Sequence, residues 1–567
     1  MKRTLPLTAL FLSSSLMLTP SVLAEEVESG ATQATSTQAA KATETTEALT
    51  PIPAAVQKTM DRLFTLQPEL KKLNIITSGG REDSQRFLVG LSDRPEEKIK
   101  KEDMSAYLEF DRNTGDLLSF DIRATAWASE KLPSRQLAQD TAERFLTEWF
   151  GTEGRKQFGK PTRYSDFGSA TRNEDGSIVS WRTCSVEFPL LLNGIPIENK
   201  GVRLEVDSLG HITTYSYDPV DVDTTKIPKP DTALPIEEVI KNMTTADSIS
   251  LNYVQEQSGK DGQASEETKT KPVLRYDLDS RYIHAQTGKK ALDTGLKPTG
   301  TKTVLYPKGQ TLIARSEEEV KQLLAKLFDI NSATGTVRVY QPIDLPWQKE
   351  RRYLDYQFNT EDGQVTAHVT TDKKTGHVYS VSLSTNKEQK KQAARITEEQ
   401  AFTVARDFLE TYADSSATEL ELQQKIFEEP EIPSWVDKSK LPEMTDDPNG
   451  TYSFYFTKLH QGIPVQDHSY HVSIDKQTGK VVSFHLFTPS KKVELPDSQN
   501  IVTKEEALAT LIKHRPPLEL KYTWSWYMGQ QAPAPLLVYT WDNSDGFGYV
   551  DALTGEYIKE PIDQEDE

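Results

Sequence analysis

Apolar and polar residues alternate between residues 462 and 474 and again between 480 and 484, a pattern typical of two half-buried β-strands. The segment Asp475-Lys476-Gln477-Thr478-Gly479 separates the two runs. Glycine tolerates a positive φ, and an aspartate carboxylate accepts hydrogen bonds from backbone N–H groups two or three positions further on. The pattern therefore predicts a bulged β-hairpin.

The same turn pattern recurs along the chain. The pattern Asp-x-x-Thr-Gly occurs again at residues 111–115, 372–376 and 551–555. Residues 207–210 form a shorter copy, and residues 284–288 carry His in place of Asp. This recurrence predicts a chain built from repeated hairpin units.

A calcium-binding loop is the alternative explanation of these turns. An EF-hand loop needs oxygen ligands at alternating positions and a glutamate at position twelve. Position three is Asn, Lys, Gln or Leu in the copies here, and position twelve is Ile122, Leu383 or Leu486 in three of them. Turn chemistry explains the Asp and the Gly without a metal ion.

Helical periodicity marks the start of two matching segments. Apolar residues at i, i+4, i+7 and i+8 predict an amphipathic helix, and this pattern occurs twice, 264 residues apart. The matched residues are Val56, Met60, Leu63 and Phe64 in the first copy and Val320, Leu324, Leu327 and Phe328 in the second. A capping box at Ser316–Glu319 starts the second of these helices, and boxes at Thr397–Gln400 and Thr503–Glu506 predict two further helix starts.

Other elements keep nearly the same offset. Asp111 corresponds to Asp372 with an offset of 261, and Gly194 corresponds to Gly462 with an offset of 268. Because loop insertions shift an offset by a few residues, these matches predict an internal duplication with halves at 51–295 and 315–560. Residues 296–314 would be the linker.

The alternation of strands and helices predicts the fold class. Runs of antiparallel strands between amphipathic helices indicate an α+β fold, with the helices packed on one face of curved antiparallel sheets. The segments 256–271 and 429–450 are rich in charged residues, Gly or Pro and are predicted loops.

The two ends of the chain have a different character. Residues 1–24 have the charged, apolar and small-residue regions of a secretory signal, with cleavage expected after Ala24, although an uncleaved N-terminal anchor is the alternative. Residues 25–50 have almost no large apolar side chains and are predicted to form a disordered tether. Residues 561–567 form an acidic tail. We expect an exported protein, secreted or in the cell envelope, with no membrane span after the signal is removed.

Composition narrows the classes of partner. The 567 residues are enough for two or more buried cores, and 49 of them are aromatic, which favours a packed protein. The net charge of −19 gives no broad electrostatic footprint for DNA, RNA or an anionic membrane.

Two motifs suggest a family resemblance. The stretch 454–465, followed by 472–475 and 479–483, resembles the propeptide module of thermolysin-type metallopeptidases. The units with an Asp-x-x-Thr-Gly turn and a Thr-x-Glu-Glu helix start resemble PepSY repeats. Over residues 51–560 the arrangement resembles the YcdB/YcdC repeat proteins of Gram-positive bacteria. This resemblance implies tandem helix-on-sheet modules, the binding or restraint of a secreted peptidase or a cell-wall component, and no catalytic residues.

Catalytic motifs are not found in the sequence. A thermolysin-type zinc site needs His-Glu-x-x-His, and a hydrolase elbow needs Gly-x-Ser-x-Gly; neither occurs. The closest histidines are His468, His471 and His485, but His468 and His471 lie three apart on a predicted strand and face opposite sides. A metal site at His471 and His485 is the alternative to two solvent-facing side chains. The sole Cys184 lies in an apolar-alternating run and is expected to be a buried thiol. We expect no catalytic residue, cofactor or metal ion.

Two further features have a structural and a functional interpretation. In Gly194-Ile195-Pro196 and Gly462-Ile463-Pro464, the proline is expected to start an edge strand, and a partner could bind there by strand addition. Trp524 and Trp526 would share one face of a strand, where they would fill a core or form a carbohydrate platform.

Three hypotheses of function follow. The first is a non-enzymatic exported protein whose PepSY-like modules bind a protein partner, a secreted peptidase or an envelope component, and regulate or scaffold it. The second is an envelope hydrolase acting on peptides or glycans through an unrecognised acidic or metal site. The third is a structural wall protein.

Overall fold

The computed structural model describes most of the chain after residue 48. The described ranges are 49–80, 84–93, 104–173, 175–220, 224–255, 272–279, 282–291, 296–331, 335–340, 353–385, 395–425, 432–441, 450–486, 494–542 and 546–560. The predicted signal at 1–24, all but the last two residues of the predicted tether at 25–50, and the predicted acidic tail at 561–567 lie outside them. The predicted loop at 256–271 also lies outside, as do residues 429–431 and 442–449 of the one at 429–450.

Six α-helices lie within these ranges. They are α1 (Ala54–Leu66), α2 (Arg135–Arg155), α3 (Ile236–Met243), α4 (Glu317–Phe328), α5 (Glu398–Tyr412) and α6 (Lys504–His514). No helix among the described residues is long and apolar enough to cross a membrane.

The predicted capping boxes begin three of these helices. Thr397 and Thr503 each accept a hydrogen bond from the backbone N–H three residues on, at 3.2 Å, and the side chains of Gln400 and Glu506 bind back to the N-cap N–H at 2.9 Å. These two complete boxes satisfy backbone donors that the first helical turn leaves without partners. In α4 the reciprocal bond shifts by one residue, because Glu319 accepts from the N–H of Arg315.

Strands make up most of the regular structure. In chain order they are β1 (Asn74–Gly79), β2 (Arg86–Ser92), β3 (Met104–Asp111), β4 (Leu117–Ala124), β5 (Arg163–Arg172), β6 (Ile178–Leu192), β7 (Ile195–Asp207), β8 (Ile212–Asp218), β9 (Ile249–Gln255), β10 (Pro272–Leu278), β11 (Ile283–His284), β12 (Leu296–Val304), β13 (Thr336–Tyr340), β14 (Tyr353–Asn359), β15 (Val365–Asp372), β16 (Val378–Thr385), β17 (Glu419–Lys425), β18 (Thr451–His460), β19 (Ile463–Asp475), β20 (Val481–Leu486), β21 (Leu518–Thr523), β22 (Trp526–Tyr527), β23 (Gln530–Gln531), β24 (Leu536–Trp541), β25 (Phe547–Asp551) and β26 (Tyr557–Glu560). The prediction of an α+β fold is confirmed.

The strands form two large sheets and one small ribbon, β22 with β23. The first sheet has the order β1-β2-β3-β4-β8-β7-β21-β24-β11, with β6 and β5 added on β7. The second has the order β13-β14-β15-β16-β20-β19-β9-β10-β25-β26, with β18, β17 and β12 added on β19. All but two of the pairings between successive strands are antiparallel: β7 with β21 and β19 with β9 are parallel.

These two parallel contacts reveal an exchange of hairpins. Hairpin A, formed by β9 and β10, comes from the N-terminal part of the chain but lies in the second sheet. Hairpin B, formed by β21 and β24, comes from the C-terminal part but lies in the first sheet. The halves 51–295 and 315–560 remain a prediction about sequence units; the sheets do not follow that boundary, because each half completes the sheet of the other.

The hydrophobic cores follow the sheets. One core lies under α1 and α2, between Val56 and Tyr215, and a second lies under α4 and α5, between Leu305 and Leu486. Two smaller cores combine both halves: α3 packs on hairpin B and β11, and α6 packs on hairpin A and β25. The exchange is therefore sealed by apolar burial as well as by strand pairing.

Each recurring turn holds the entry of one helix. Asp111, Asp372, Asp475 and Asp551 accept backbone hydrogen bonds from the residues two and three positions on, at 2.6 to 3.1 Å, so the predicted turn chemistry is confirmed. The carbonyl of Gly376 accepts a hydrogen bond from the N–H of Ala314 at 2.8 Å, just before α4. The carbonyl of Ala552 accepts from Val502 at 2.8 Å, just before α6. The turn repeats because each helix is anchored on the hairpin beneath it.

The close approach at Gly115 provides a test of this anchoring. A Cβ on Gly115 (φ 76°) would lie 2.6 Å from the carbonyl carbon of Ala55, at the start of α1. Gly363 has a similar φ of 63° but open space around it. We expect Gly363→Ala to lower the free energy of unfolding by about 1 kcal/mol, for the left-handed backbone alone. Gly115→Ala should lower the free energy of unfolding by roughly 2 kcal/mol more than Gly363→Ala, because the start of α1 must move away from the added methyl group. Urea unfolding measures both, and equal losses would contradict the anchoring.

Candidate functional site

The two large sheets each have a face that the helices leave uncovered. Strand residues alternate between the helix-covered cores and the opposite face. On the first sheet, strand register aligns Tyr107, Asp121, Thr214 and Glu205 in one row across β3, β4, β8 and β7. We call this row, together with its neighbours Leu88 and Glu109, the first open face.

The second sheet has an equivalent row. Register aligns His368, Ser382, Ser483 and Ser473 across β15, β16, β20 and β19. These are the positions that correspond, strand for strand, to Tyr107, Asp121, Thr214 and Glu205. We call this row, with its neighbours Ser453, Tyr455, His471 and His485, the second open face.

Two carboxylates give the first open face its electrostatic character. Thr214 donates to Asp121 at 3.2 Å, and Thr183 donates to Glu205 at 3.0 Å. Desolvation is the largest effect and raises the pKa of both carboxyl groups; the charge of Arg123 partly offsets it at Asp121, and that of Arg203 partly offsets it at Glu205, where the charge of Asp121 adds a smaller rise. The nearest guanidinium to Glu205 is that of Arg203, at 3.8 Å. Both carboxylates would gain from a cationic group brought to this face.

Two large apolar side chains lie beside these carboxylates. Leu88 is 51% exposed and Tyr107 is 63% exposed, and they are diagonal neighbours on β2 and β3. Glu109 borders them and forms an ion pair with Arg86 at 2.6 Å. Exposed apolar residues bordered by polar groups are typical of a protein interaction surface.

The second open face is uncharged in its centre. His471 lies directly opposite His485 on the neighbouring strand, and its ring stacks on Tyr455 with centroids 4.4 Å apart. The hydroxyl of Ser473 lies 3.0 Å from Nε2 of His471 and 2.9 Å from the hydroxyl of Ser453. Desolvation lowers the pKa of His485. Imidazole and hydroxyl groups thus replace the carboxylates of the first open face.

The predicted histidine geometry is confirmed. His468 is buried on the helix side of β19, whereas His471 lies on the open side, so the two cannot share a ligand. His485 is brought close to His471, as the sequence alternative required. In the part of the chain that the structure describes, no group of three or more His, Cys, Asp or Glu side chains is placed to hold a metal ion.

A buried polar cluster on the helix side of the second sheet was not found from the sequence. Lys458, 6% exposed, donates to the hydroxyl of Ser416 at 2.6 Å, and that hydroxyl in turn contacts Asp414. Burial lowers the pKa of Lys458. Burial, with the charge of Lys458, also lowers the pKa of His468 to about 4. The signal was a lysine at the buried position after Phe454 and Phe456.

Cys184 lies in the first core and is fully buried, as predicted. It is placed on β6 among apolar side chains of the sheet. A thiolate is disfavoured in such surroundings, so the residue is structural.

The glycine-isoleucine-proline motifs do not form a free edge. Asn193 (φ 52°) and Gly194 (φ 77°) form a two-residue turn in which both residues are left-handed, and Gln461 and Gly462 repeat it. The strand that follows pairs with β21 at Ile197, or with β9 at Val465. The prediction of an edge strand was wrong, because the hairpin of the other half fills the edge where a partner was expected to add.

The tryptophan pair does not form a carbohydrate platform. Strand β21 ends at Thr523, and Trp524 turns into the mixed core with 9% exposure. Trp526 begins the small ribbon and is 62% exposed. The two indoles do not share a face, because the strand does not continue through them.

A shallow cleft of about 200 Å³ lies between α1, α2 and the turn at residues 207–210. Gln67, Arg144, Glu148 and His211 line it. His211 is held by Asp207 at 2.8 Å and stacks on Trp127 with centroids 4.2 Å apart. Its ring is thus fixed by the turn at residues 207–210 and by Trp127.

Comparison with known proteins supports one part of the sequence interpretation. Residues 333–487 match the family model described as the YcdB, YcdC repeated domain. The resemblance to the YcdB/YcdC repeat proteins is therefore confirmed for this range, which includes β14–β20 and α5. A search of curated proteins finds no match.

Two solved structures show weak similarity. The Bacillus megaterium YpeB C-terminal domain aligns at 15% identity over 44% of this chain and 99% of that chain, with a TM-score of 0.23. The WD40 domain of SCAP from fission yeast aligns at 9% identity over 83% of this chain and 93% of that chain, with a TM-score of 0.11. At these TM-scores neither similarity bears on the fold.

The buried His468 predicts a loss of stability in acid. Its pKa falls from 6.5 in the unfolded chain to about 4 in the folded protein, so between these pH values the unfolded state alone binds the proton. Stability is fully present above pH 6.5 and falls as the pH drops to about 4, by roughly 3 kcal/mol from this group. We expect His468→Gln to remove that part of the slope, measured by urea unfolding at pH 7, 5.5 and 4. Parallel stability profiles for the two proteins would contradict the assignment.

Proposed function

We propose that this chain is an exported, non-catalytic protein whose PepSY-like modules bind a protein partner through the first open face and regulate or scaffold it. The partner class is a secreted peptidase or a component of the cell envelope. The observation that carries the proposal is the pairing of exposed Leu88 and Tyr107 with the desolvated carboxylates of Asp121 and Glu205. A surface of this kind fits a segment with an apolar side chain next to a lysine or arginine.

We also infer that the two halves arose by tandem duplication of one ancestral block. The reciprocal pairing supports this: Ile197 meets Tyr522, and Val465 meets Tyr253, at offsets of 268 and 269. The buried faces of the halves are similar, with Phe145 and Leu146 corresponding to Phe408 and Leu409 of the paired helices.

The open faces of the two halves have diverged, which favours a specific partner on one of them. Both halves keep apolar residues where the helices pack. At matching open positions, however, Asp121 and Glu205 are replaced by Ser382 and Ser473. Packing constrains the buried positions, so the difference on the open side is free to serve binding.

A hydrolase remains a second candidate because of the same carboxylates. Asp121 and Glu205 lie on strands separated by β8, so their backbones are roughly 10 Å apart. Raised pKa values on two nearby carboxyl groups are typical of general acid-base pairs. Turnover of casein or cell-wall polymer that Asp121→Asn abolishes would favour the hydrolase over the binding protein.

Site-specific cross-linking tests the binding proposal. We expect a photoreactive phenylalanine analogue at Tyr107 to capture a protein from the secretome of the producing organism. The same analogue at His368, the matching position of the second open face, serves as control and should capture no such protein. Equal capture at both positions, or none at Tyr107, would contradict the assignment of the first open face.

Substitution of the exposed apolar pair gives a quantitative check with the captured partner. We expect Leu88→Ala with Tyr107→Ala to weaken binding at least about tenfold, since exposed anchors at an interface often contribute more than 1 kcal/mol each. Tyr306, 78% exposed and outside both open faces, is the matched control, and Tyr306→Ala should leave the affinity unchanged. Thermal unfolding should show that none of these variants is destabilised, because all three side chains are exposed.

A further inference from the structure

Four tyrosines join the two halves in two matching pairs. In hairpin B, Tyr522 donates to the carbonyl of Pro228 at 2.6 Å; in hairpin A, Tyr253 donates to the carbonyl of Pro496 at 3.0 Å. Tyr522 and Tyr253 differ by 269 positions, and Pro496 and Pro228 differ by 268. Each bond therefore has a counterpart that runs in the opposite direction between the halves.

The second pair of tyrosines repeats this reciprocity. Tyr539 donates to the carbonyl of Leu234 before α3, and Tyr276 donates to the carbonyl of Val502 before α6, both at 3.0 Å. Reciprocal contacts of this kind are the mark of an isologous interface, in which each partner gives what it receives. Here the two partners are halves of one chain.

Backbone pairing follows the same rule. Ala285 donates to Leu537 and Ala552 donates to Leu274, each at 2.8 Å, so the last turn of each half is bonded to the hairpin of the other. Tyr253 and Tyr522 are wholly buried in the two mixed cores. Separation of the halves would break strand pairing in both sheets and expose both mixed cores together.

An ion pair of a buried arginine adds to these contacts between the halves. Arg275 of β10 is 1% exposed and lies 2.8 Å from Glu560 of β26, across the boundary between the halves. Its guanidinium also lies over the ring of Tyr549, 4.6 Å from the centroid. Asp277 of the same strand lies 2.9 Å from this guanidinium, so Asp277 and Glu560 together neutralise the buried Arg275.

We propose that the exchanged hairpins interlock the two halves, so that the protein stays assembled and folded after the chain is cut between them. The connection between β11 and β12 carries neither hairpin, and a cut after Ala291 interrupts no strand and no core of the described residues. For a protein that we propose to contact peptidases, this gives tolerance of cleavage between the halves; the interlock itself does not depend on that function.

A cut in the purified, full-length protein tests this inference. A site-specific protease sequence is inserted after Ala291 and cleaved after purification, so folding precedes the cut. We expect the cut protein to elute as one species of the intact mass and to unfold in a single transition. Two separated fragments in native buffer, or two unfolding transitions, would overturn the interlock.

The rate at which the fragments exchange gives an independent measure. The cut protein is mixed with an excess of the same protein carrying a fluorescent N-terminal fragment. Because exchange requires the sheets to open, its half-time should be on the order of hours to days. Complete exchange within a minute would overturn the inference.

Removal of the reciprocal hydrogen bonds should speed that exchange. We expect Tyr253→Phe with Tyr522→Phe to shorten the half-time by about tenfold, since two buried hydrogen bonds are lost. Tyr164, which donates to Gln139 within the first half at 2.8 Å, is the matched control, and Tyr164→Phe should not change the rate. Equal acceleration by both sets of variants would show that the bonds do not hold the halves together.

Discussion

The structure depends on how the backbone edge after each glycine-isoleucine-proline motif is satisfied. A strand edge with free N–H and C=O groups is a template for pairing with another chain, and proteins cover such edges. Here the edge at Ile197 is covered by β21 and the edge at Val465 by β9. Because each cover comes from the other half, satisfaction of one edge requires the whole chain to be present and in place.

This constraint explains why the molecule has four cores and not two. In each half, the first two helices pack on strands of the same half. This packing gives one core under α1 and α2 and another under α4 and α5. The third helix of each half stays with its own last turn but packs on a hairpin of the other half. The mixed cores then prevent the sheets from moving as separate bodies. The two open faces consequently have a fixed relation to each other.

Local sequence patterns predicted many of the turns and helix starts, but not which strands of the two halves pair with each other. The turns at 372–376 and 475–479 and the capping boxes at Thr397 and Thr503 depend on a few neighbouring residues, and the structure has them where the sequence indicated. The exchange could not be predicted, because β9 fits β7 as well as β19 when the halves share the same motif. The two-residue turn at Asn193-Gly194 was not predicted, although Asn-Gly is a strong signal for such a hairpin. The open faces depend on register between distant strands, which places Asp121 near Glu205 across 84 residues of sequence, and alternation alone does not give that register.

The contacts between the halves determine which mode of partner binding is compatible with the proposed function. A clamp that closes around its ligand needs two bodies joined by a hinge, with few contacts across the boundary. Strand pairing, apolar burial and the Arg275–Glu560 ion pair all cross the boundary here, so closure of one half on the other would cost the pairing of both sheets. In the proposed role, recognition would then come from preformed surfaces.

On the first open face, Thr214 donates a hydrogen bond to Asp121, and Thr183 donates one to Glu205. Because both carboxylates are already held in place, binding would cost little side-chain conformational entropy. Folding of the sheet has already removed water from these carboxylates. A cationic side chain placed between them would restore part of the electrostatic stabilisation that the water gave. The rigidity that the exchanged hairpins give to the sheets thus suits the first open face to the binding role that we propose for it.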